Sequence, residues 1–170
     1  RLLECARVVV DKHGGDVPSD VDELLALPGI VDYTARAVAA FAYGQRVPVV
    51  DTNARRVYSR WKLGRFLPGA ASKRDLAQVE ALLPQEPQQA ADMSVALMEL
   101  GALVCTATSP DCDACPLIKN CAWQSAGCPE PSTEELARAK KRVQKFTGTD
   151  RQVRGLIMDV LRGATAPVPQ

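Results

Sequence analysis

Four cysteines lie close together beyond the middle of the chain. They are spaced C-x6-C-x2-C-x5-C, and they are Cys105, Cys112, Cys115 and Cys121. Thiolates bind iron and zinc tightly, and short loops between ligands limit the entropy that is lost when four side chains converge on one centre. The spacing therefore predicts a metal centre that residues 105–121 encode locally.

Zinc, two disulfides and an iron-sulfur cluster are the alternatives for such a quartet. Zinc ribbons usually pair their ligands as two short knuckles, whereas this chain has a single C-x2-C knuckle, so zinc is disfavoured but stays open. Disulfides need an oxidising compartment, yet the sequence shows no signal peptide and has only six cysteines. The pattern also differs from the ferredoxin run C-x2-C-x2-C-x3-C-P, which disfavours an electron carrier. Cys5 and Cys128 are interpreted as small buried or idle thiols.

The spacing of the quartet resembles the [4Fe-4S] loop of the endonuclease III and adenine glycosylase superfamily of DNA repair enzymes. This resemblance favours iron-sulfur over zinc and implies a [4Fe-4S] cluster as the cofactor. It also implies a cytoplasmic, nucleoid-associated protein.

The composition predicts an all-α fold. Alanine and leucine dominate, aromatic residues make up 5%, and no stretch alternates long enough to indicate a sheet. A net charge of +1 argues neither for nor against nucleic acid, because the position of the charges decides the matter. Since the sequence begins at Arg1, inside a helical pattern, we expect a fragment of a longer protein.

Apolar periodicity and capping residues predict six helices before the cysteine loop. Ser19 with Asp22 indicates a capping box for the second helix, and Asp51-Thr52-Asn53 supplies capping groups for the fourth. Ser72 with Asp75 starts the fifth in the same way. The predicted helices cover residues 1–12, 20–26, 32–43, 52–61, 72–83 and 88–104.

A short turn, Leu27-Pro28-Gly29-Ile30, separates the second and third helices. It has the outline of a helix-hairpin-helix, whose backbone N–H groups receive a DNA phosphate without reading bases. Val50-Asp51-Thr52-Asn53 follows about twenty residues later, and the cysteine quartet comes downstream. Together these motifs resemble adenine DNA glycosylases of the MutY type over most of residues 1–121. The resemblance implies a helix-hairpin-helix glycosylase fold and DNA contacts by Leu27, Pro28, Gly29, Ile30, Val31, Thr34 and Asn53.

The resemblance also implies catalytic roles for Asp51 and Tyr33. Breaking an N-glycosidic bond develops positive charge on the sugar, so a carboxylate held beneath the ring stabilises the transition state. The bifunctional endonuclease III type has a lysine where this chain has Tyr33, and tyrosine cannot form a Schiff base. A monofunctional enzyme is therefore implied. The structural alternatives are Asp51 as a plain helix cap and Tyr33 as a packing residue.

The implied partner is double-stranded DNA with adenine opposite 8-oxoguanine or guanine, and the flipped adenine is removed by hydrolysis. The family's general acid is a glutamate on an early helix. None of the eight glutamates present lies in a matching motif, so we expect the chain to be inactive alone. A monomer without a membrane partner is expected. Alternatives are a non-catalytic DNA-binding iron-sulfur protein and an endonuclease III-like glycosylase/lyase.

Two hairpin residues depart from the family's pattern. Relatives usually have a second glycine where this chain has Val31, and a β-branched residue forced to positive φ is strained. Asp32 places negative charge at a helix N-terminus, where it competes with phosphate. Both departures predict weakened DNA binding.

The domains predicted on this basis are a partial glycosylase domain and three shorter segments. The tail has eight basic and two acidic residues between Leu136 and Arg162, which fits either a solvated tail or a phosphate-binding arm. The segments are residues 1–104 for the glycosylase domain, 105–121 for the cluster loop, 122–135 for a linker, and 136–170 for the basic tail and the possible start of a winged-helix unit.

Overall fold

A computed structural model describes residues 1–140 and 146–163, and the regular elements within them are helices. This confirms the predicted all-α class. The basic residues Lys141, Arg142 and Lys145, like residues 164–170, lie outside the described part. The helices are α1 (Leu2–His13), α2 (Val21–Leu25), α3 (Asp32–Phe41), α4 (Thr52–Leu63), α5 (Lys73–Glu80), α6 (Pro87–Leu103), α7 (Ala122–Ser125), α8 (Thr133–Lys140) and α9 (Asp150–Gly163), with a 3-10 turn at Ile118–Asn120.

The chain divides into two compact units, Arg1–Pro131 and Ser132–Gln170. The first contains α1 to α7. In the second, α8 and α9 are described, and the apolar side chains of α9 are exposed. None of the helices within the described ranges is long and apolar enough to cross a membrane.

Two clusters of buried apolar residues stabilise the first unit. One joins α1, α2 and α3 and includes Val9, Leu24 and Ala35. The other joins α4, α5 and α6 and includes Val57 and Leu97. Each large aliphatic side chain that is buried contributes about 1.5–3 kcal/mol. Because α6 packs against both α3 and α4, it connects the hairpin to the helix that follows Asp51.

Helix α4 begins at Thr52 because Asp51 caps it. Asp51 has extended backbone, and its Oδ1 accepts the N–H of Ala54 at 2.7 Å. The helix ends at Gly64, whose φ of 66° is the left-handed conformation that glycine adopts most easily. The prediction that residues 51–53 supply capping groups is confirmed for Asp51.

Arg46 fixes the extended segment that leads into α4. Its Nε donates to the carbonyl of Pro84 at 2.7 Å, and its Nη2 donates to those of Glu80 and Leu83 at 3.2 and 3.1 Å. These carbonyls belong to the last residue of α5 and to the turn that follows it. Since Val49 of the same segment is fully buried, the chain reaches Asp51 from a fixed direction.

Some helix boundaries differ from the predicted ones. Asp20, not Ser19, caps α2: its Oδ1 accepts the N–H groups of Asp22 and Glu23 at 2.9 and 3.1 Å. The predicted Ser19 box is wrong because a carboxylate one residue later reaches the same free N–H groups. The fifth helix does have the predicted capping box of Ser72 and Asp75. Helix α3 ends at Phe41 and α5 at Glu80, so both are shorter than predicted.

Candidate active site and metal centre

The carboxylate of Asp51 is held through both oxygens. Oδ1 accepts the Ala54 N–H at 2.7 Å, and Oδ2 accepts Nδ2 of Asn53 at 3.0 Å. The residue is half-buried at the start of α4. Two hydrogen bonds from one helical turn therefore fix the direction in which this carboxylate faces.

Arg56 fixes the Asn53 amide in turn. Its Nη2 donates to Oδ1 of Asn53 at 2.7 Å, which leaves the amide nitrogen directed at Asp51. The same guanidinium donates to the carbonyls of Gly101 and Cys105 at 2.6 and 2.8 Å. Burial, and next the neighbouring charge of Arg60, lower the pKa of Arg56 from its ordinary value. A continuous chain of hydrogen bonds thus runs from Asp51 to the backbone of the first quartet cysteine.

Gly101 allows α4 and α6 to approach this closely. A Cβ at this position would lie 2.7 Å from the Cβ of Asn53 and 2.9 Å from its carbonyl oxygen. Such distances are too short for real contacts, so any side chain at 101 would push Asn53 away. The glycine is required here for space, not for backbone conformation.

Tyr33 lies in the first turn of α3 and is 42% exposed. Its hydroxyl donates to Sδ of Met98 at 3.8 Å. Met98 and Gly101 are three residues apart on α6 and so share a face of that helix. Helix α6 therefore contacts Tyr33 at one point and Asn53 at the next turn.

The hairpin turn has the backbone that its glycine permits. Gly29 has φ 86°, the Ile30 N–H donates to the carbonyl of Leu27 at 3.2 Å, and Leu27 is buried while Pro28 is half-buried. Val31 is the N-cap of α3 and provides no side-chain cap to the helix. The N–H groups of the first turn, residues 32–34, therefore lie at an exposed helix end with no side-chain cap, and Thr34 is half-buried beside them.

The structure corrects the expectation of strain at Val31. Its φ is −112° and its ψ is 165°, which is extended backbone that a β-branched residue adopts without strain. The position does not need glycine. Asp32 is not an isolated charge either, because both of its oxygens lie 3.1 Å from Nε of Arg36.

The four quartet cysteines line a single cavity. Cys121 is buried, the other three are half-buried, and all six cysteines of the chain are free thiols. Burial raises the pKa of the Cys112 thiol above its ordinary value. Within residues 1–140 and 146–163, no three His, Cys, Asp or Glu side chains converge closely enough to bind one metal ion. What the structure shows is one cavity lined by four thiols, and thiolates are the ligands that iron-sulfur clusters use.

The cysteine loop is closed by its own backbone. The N–H of Asp111 donates to the carbonyl of Val104 at 2.9 Å, so the segment returns to the end of α6. The N–H of Cys115 donates to the carbonyl of Cys112 at 3.1 Å, which forms the C-x2-C knuckle. Short-range bonds thus hold the first three cysteines in place.

Arg60 lies against this loop and is 1% exposed. Its Nη1 lies 3.4 Å from Sγ of Cys105 and 2.7 Å from the carbonyl of Thr106. The guanidinium also stacks over the ring of Phe66, at 4.1 Å from its centroid. Trp123, which lines the cysteine cavity, is the second ring nearby, at 5.6 Å.

Sequence reasoning missed Arg56, Arg60 and Gly101. The two arginines stand four residues apart on α4, on the face that also carries the buried Val57, and that spacing was the available signal. Gly101 gave no local signal, because the residue that it accommodates is nearly fifty positions away in sequence.

No family model matches the chain. It is 56% identical to an adenine DNA glycosylase of Mycobacterium tuberculosis (strain CDC 1551 / Oshkosh), over 99% of this chain and 53% of that protein. It is 55% identical to an adenine DNA glycosylase of Mycolicibacterium smegmatis, over 99% and 54%. A thymine/uracil-DNA glycosylase of Methanothermobacter thermautotrophicus is 33% identical, over 72% and 55%.

Solved structures give the same fold. A thermostable thymine-DNA glycosylase superposes with a TM-score of 0.65 at 31% identity, over 74% of this chain and 57% of that one. A trapped endonuclease III–DNA covalent intermediate gives a TM-score of 0.62 at 28% identity, with the same coverage. The chain spans about half the length of the curated relatives it matches. By sequence and fold, it belongs to the adenine DNA glycosylase family of the helix-hairpin-helix, endonuclease III-type superfamily.

Proposed function

We propose that this chain supplies the hairpin, the catalytic carboxylate and the iron-sulfur site of a monofunctional DNA glycosylase that removes adenine opposite 8-oxoguanine or guanine. The observation that carries the proposal is the fixed carboxylate of Asp51, bonded by Ala54 and Asn53 at the start of α4. The 56% identity to an adenine DNA glycosylase supports the choice of base.

Asp51 stabilises the sugar as the N-glycosidic bond breaks. The sugar gains positive charge in the transition state, and a carboxylate that is already oriented need not reorganise to meet it. Water then attacks the sugar, and no covalent link to the protein is needed.

Tyr33 contacts the extruded nucleotide in this proposal. Its ring is partly exposed, and its hydroxyl donates to Met98 of α6. The side chain therefore offers a flat face while it keeps its contact with α6. Aromatic faces stack on bases and sugars and contribute roughly 1–3 kcal/mol per base. Since a phenol cannot form an imine with the sugar, base removal stops at the abasic site.

The hairpin binds the DNA backbone. The uncapped N-terminus of α3 presents backbone N–H groups, which suit one phosphate oxygen. This contact positions the duplex and does not read sequence. Residues 27–31 and Thr34 form this surface, and Asn53 supports Asp51.

Cys105, Cys112, Cys115 and Cys121 would hold a [4Fe-4S] cluster in the cavity they share. When bound, the cluster would supply a cross-link between the end of α6 and α7, together with a redox centre. Arg56 of α4 bonds both the Cys105 carbonyl of this loop and the Asn53 side chain. Through Arg56, the loop therefore supports the proposed active site.

The leaving adenine must also be protonated, and this step needs a group outside the motifs found here. None of the eight glutamates lies in a motif that matches the family's general acid. We therefore expect residues 1–170 alone to bind duplex DNA and to release no adenine.

A chimera tests the proposal. The chain is joined to those residues of the M. tuberculosis relative that it does not match, and excision of adenine opposite 8-oxoguanine is followed under single-turnover conditions. Excision by the chimera, its loss in Asp51→Asn, and no excision by the chain alone are expected. Circular dichroism controls for folding. A folded chimera that leaves adenine in place would contradict the proposal.

An endonuclease III-type lyase is the second candidate, because such enzymes share the fold. Borohydride traps the imine that a lyase forms with DNA, whereas a monofunctional enzyme leaves no covalent complex. The chimera should give no trapped product, and its Tyr33→Lys variant should give one. Trapping by the unchanged chimera would favour the lyase.

A further inference from the structure

Arg60 is a buried cation that pairs with no carboxylate in the described part of the chain. It is 1% exposed, and within the described residues no carboxylate lies within 4 Å of its guanidinium. A buried charge is strongly unfavourable unless it is paired, so protein interiors seldom contain one in isolation. The charge of Arg60 therefore needs an explanation that the carboxylates of the described residues do not provide.

The hydrogen bonds of Arg60 are all to neutral acceptors. Nε donates to the carbonyl of Phe66 at 3.0 Å, Nη1 to that of Thr106 at 2.7 Å and Nη2 to that of Ala107 at 3.1 Å. These bonds satisfy the donors and position the group, and the ring of Phe66 adds a cation–π contact. They fix the orientation of the planar guanidinium, but none of these acceptors carries a full negative charge.

Two further contacts of residue 60 are to quartet sulfurs. Nη1 lies 3.4 Å from Sγ of Cys105, and the carbonyl of Arg60 accepts from Sγ of Cys121 at 3.6 Å. Residue 60 therefore contacts the first and the last cysteine of the quartet. Its side chain also lines the cavity that all four cysteines share.

We infer that Arg60 is the counter-cation of the cluster site: its guanidinium balances the negative charge of the four thiolates and their iron-sulfide core, and donates an N–H···S bond to Cys105. The inference rests on the iron-sulfur site of the proposed function. Thiolate ligands bring more negative charge than the core offsets, so the site has a net negative charge. Arg60 is a positioning residue and touches no DNA.

Two measurable effects follow. A buried positive charge beside the cluster stabilises its reduced form, so removing the charge lowers the reduction potential. The same charge, with its N–H···S bond, slows the loss of iron to a chelator. An arginine that only braced the loop backbone would leave the reduction potential unchanged.

The experiment uses the full chain, loaded with iron and sulfide under anaerobic conditions, and three variants. Arg60→Gln removes the positive charge. Arg60→Lys keeps the charge but loses the planar set of N–H donors that the guanidinium provides. Arg55→Gln is the matched control, because Arg55 is on the same helix and pairs with Asp75 and the Gly69 carbonyl. Reduction potential is measured by voltammetry, and iron release by the decay of visible absorbance with chelator.

Arg60→Gln should lower the reduction potential and release iron at least tenfold faster. Arg60→Lys should keep the wild-type potential and release iron faster than the wild type. Arg55→Gln should change neither quantity. If Arg60→Gln does not fold, Arg60→Lys decides: a reduction potential below that of the wild type, although the positive charge is kept, would overturn the inference.

Two outcomes separate this inference from the proposed function. Wild-type protein that binds no iron would overturn the cluster site, and the counter-cation with it. A loaded wild type, with Arg60→Gln at the same potential and release rate, would overturn the role of Arg60 alone.

Discussion

Nε of Arg56 donates to the carbonyl of Cys105 at 2.8 Å, across 49 positions of sequence. The same guanidinium holds Asn53, and Asn53 holds Asp51. The side chain that orients the proposed catalytic group is therefore bonded directly to the start of the cysteine loop.

Arg56→Gln should weaken both stability and excision. The change removes charge-assisted bonds to the Cys105 and Gly101 carbonyls and releases the Asn53 amide. We expect unfolding free energy, measured in urea, to fall by about 3 kcal/mol. Adenine excision by the chimera should fall at least tenfold.

Arg36→Gln is the control for Arg56. Its partner Asp32 is exposed and four residues away on α3, so stability should change by less than about 0.5 kcal/mol. Equal losses in the two variants would contradict a special role for Arg56.

Asp51→Asn should separate catalysis from capping. Asparagine caps helices about as well as aspartate, so stability should change by less than about 0.5 kcal/mol. Loss of the charge should slow excision by the chimera by on the order of 100-fold or more. Asp51→Ala should lose the same activity and about 1 kcal/mol of stability as well. Full excision by Asp51→Asn would mean that Asp51 acts only as a helix cap.

Gly101→Ala should displace Asn53. The added Cβ would lie 2.7 Å from the Cβ of Asn53, and both sides of the contact are part of helices or their caps. We expect a loss of about 2–3 kcal/mol in urea unfolding. Gly155→Ala in α9 is the control, because nothing lies within 4 Å of its Cβ and alanine favours a helix. A Gly101→Ala protein as stable as the wild type would mean that α4 and α6 can move apart freely.

Cys115→Ser should abolish stoichiometric iron loading, measured by metal analysis and visible absorbance after anaerobic reconstitution. A serine hydroxyl is a harder and much weaker ligand for cluster iron than a thiolate. Cys5→Ser and Cys128→Ser are controls that should load like the wild type, since neither residue lines the shared cavity. Equal loading in all three variants would contradict the quartet as the ligand set.

Asp32→Lys should tighten binding to duplex DNA. It removes a carboxylate from the first turn of α3 and adds a cation near the proposed phosphate site. In fluorescence anisotropy, the plot of log affinity against log salt should steepen by about 0.9.

Val31→Gly is the comparison for Asp32→Lys, and its affinity should stay unchanged because Val31 is not strained. Unchanged affinity in Asp32→Lys would count against a hairpin that faces DNA.

Local signals predicted the features that local chemistry determines. The Asp51 cap, the Ser72 capping box and the Gly29 turn each depend on residues a few positions apart. The Ser19 error was of the same kind, since two adjacent polar residues competed for the same N–H groups.

Features formed by distant residues were not predictable. The bond between Arg56 and Cys105, and the space that Gly101 leaves for Asn53, depend on how α4 packs on α6. The family's pattern also suggested a positive φ at Val31. The extended conformation found there follows from its position as the N-cap residue of α3.

Because a helix is stiff, a tilt of α4 at one end displaces the residues at its other end. Its twelve residues form a rod of about 18 Å, with Asp51 at one end and Arg60 near the other. A tilt of about 5° about the loop end would carry the carboxylate sideways by about 1.6 Å. Misplacement by about 1 Å can cost on the order of 100-fold in rate, so damage at the cysteine loop would inactivate the distant proposed active site while leaving every residue in it intact.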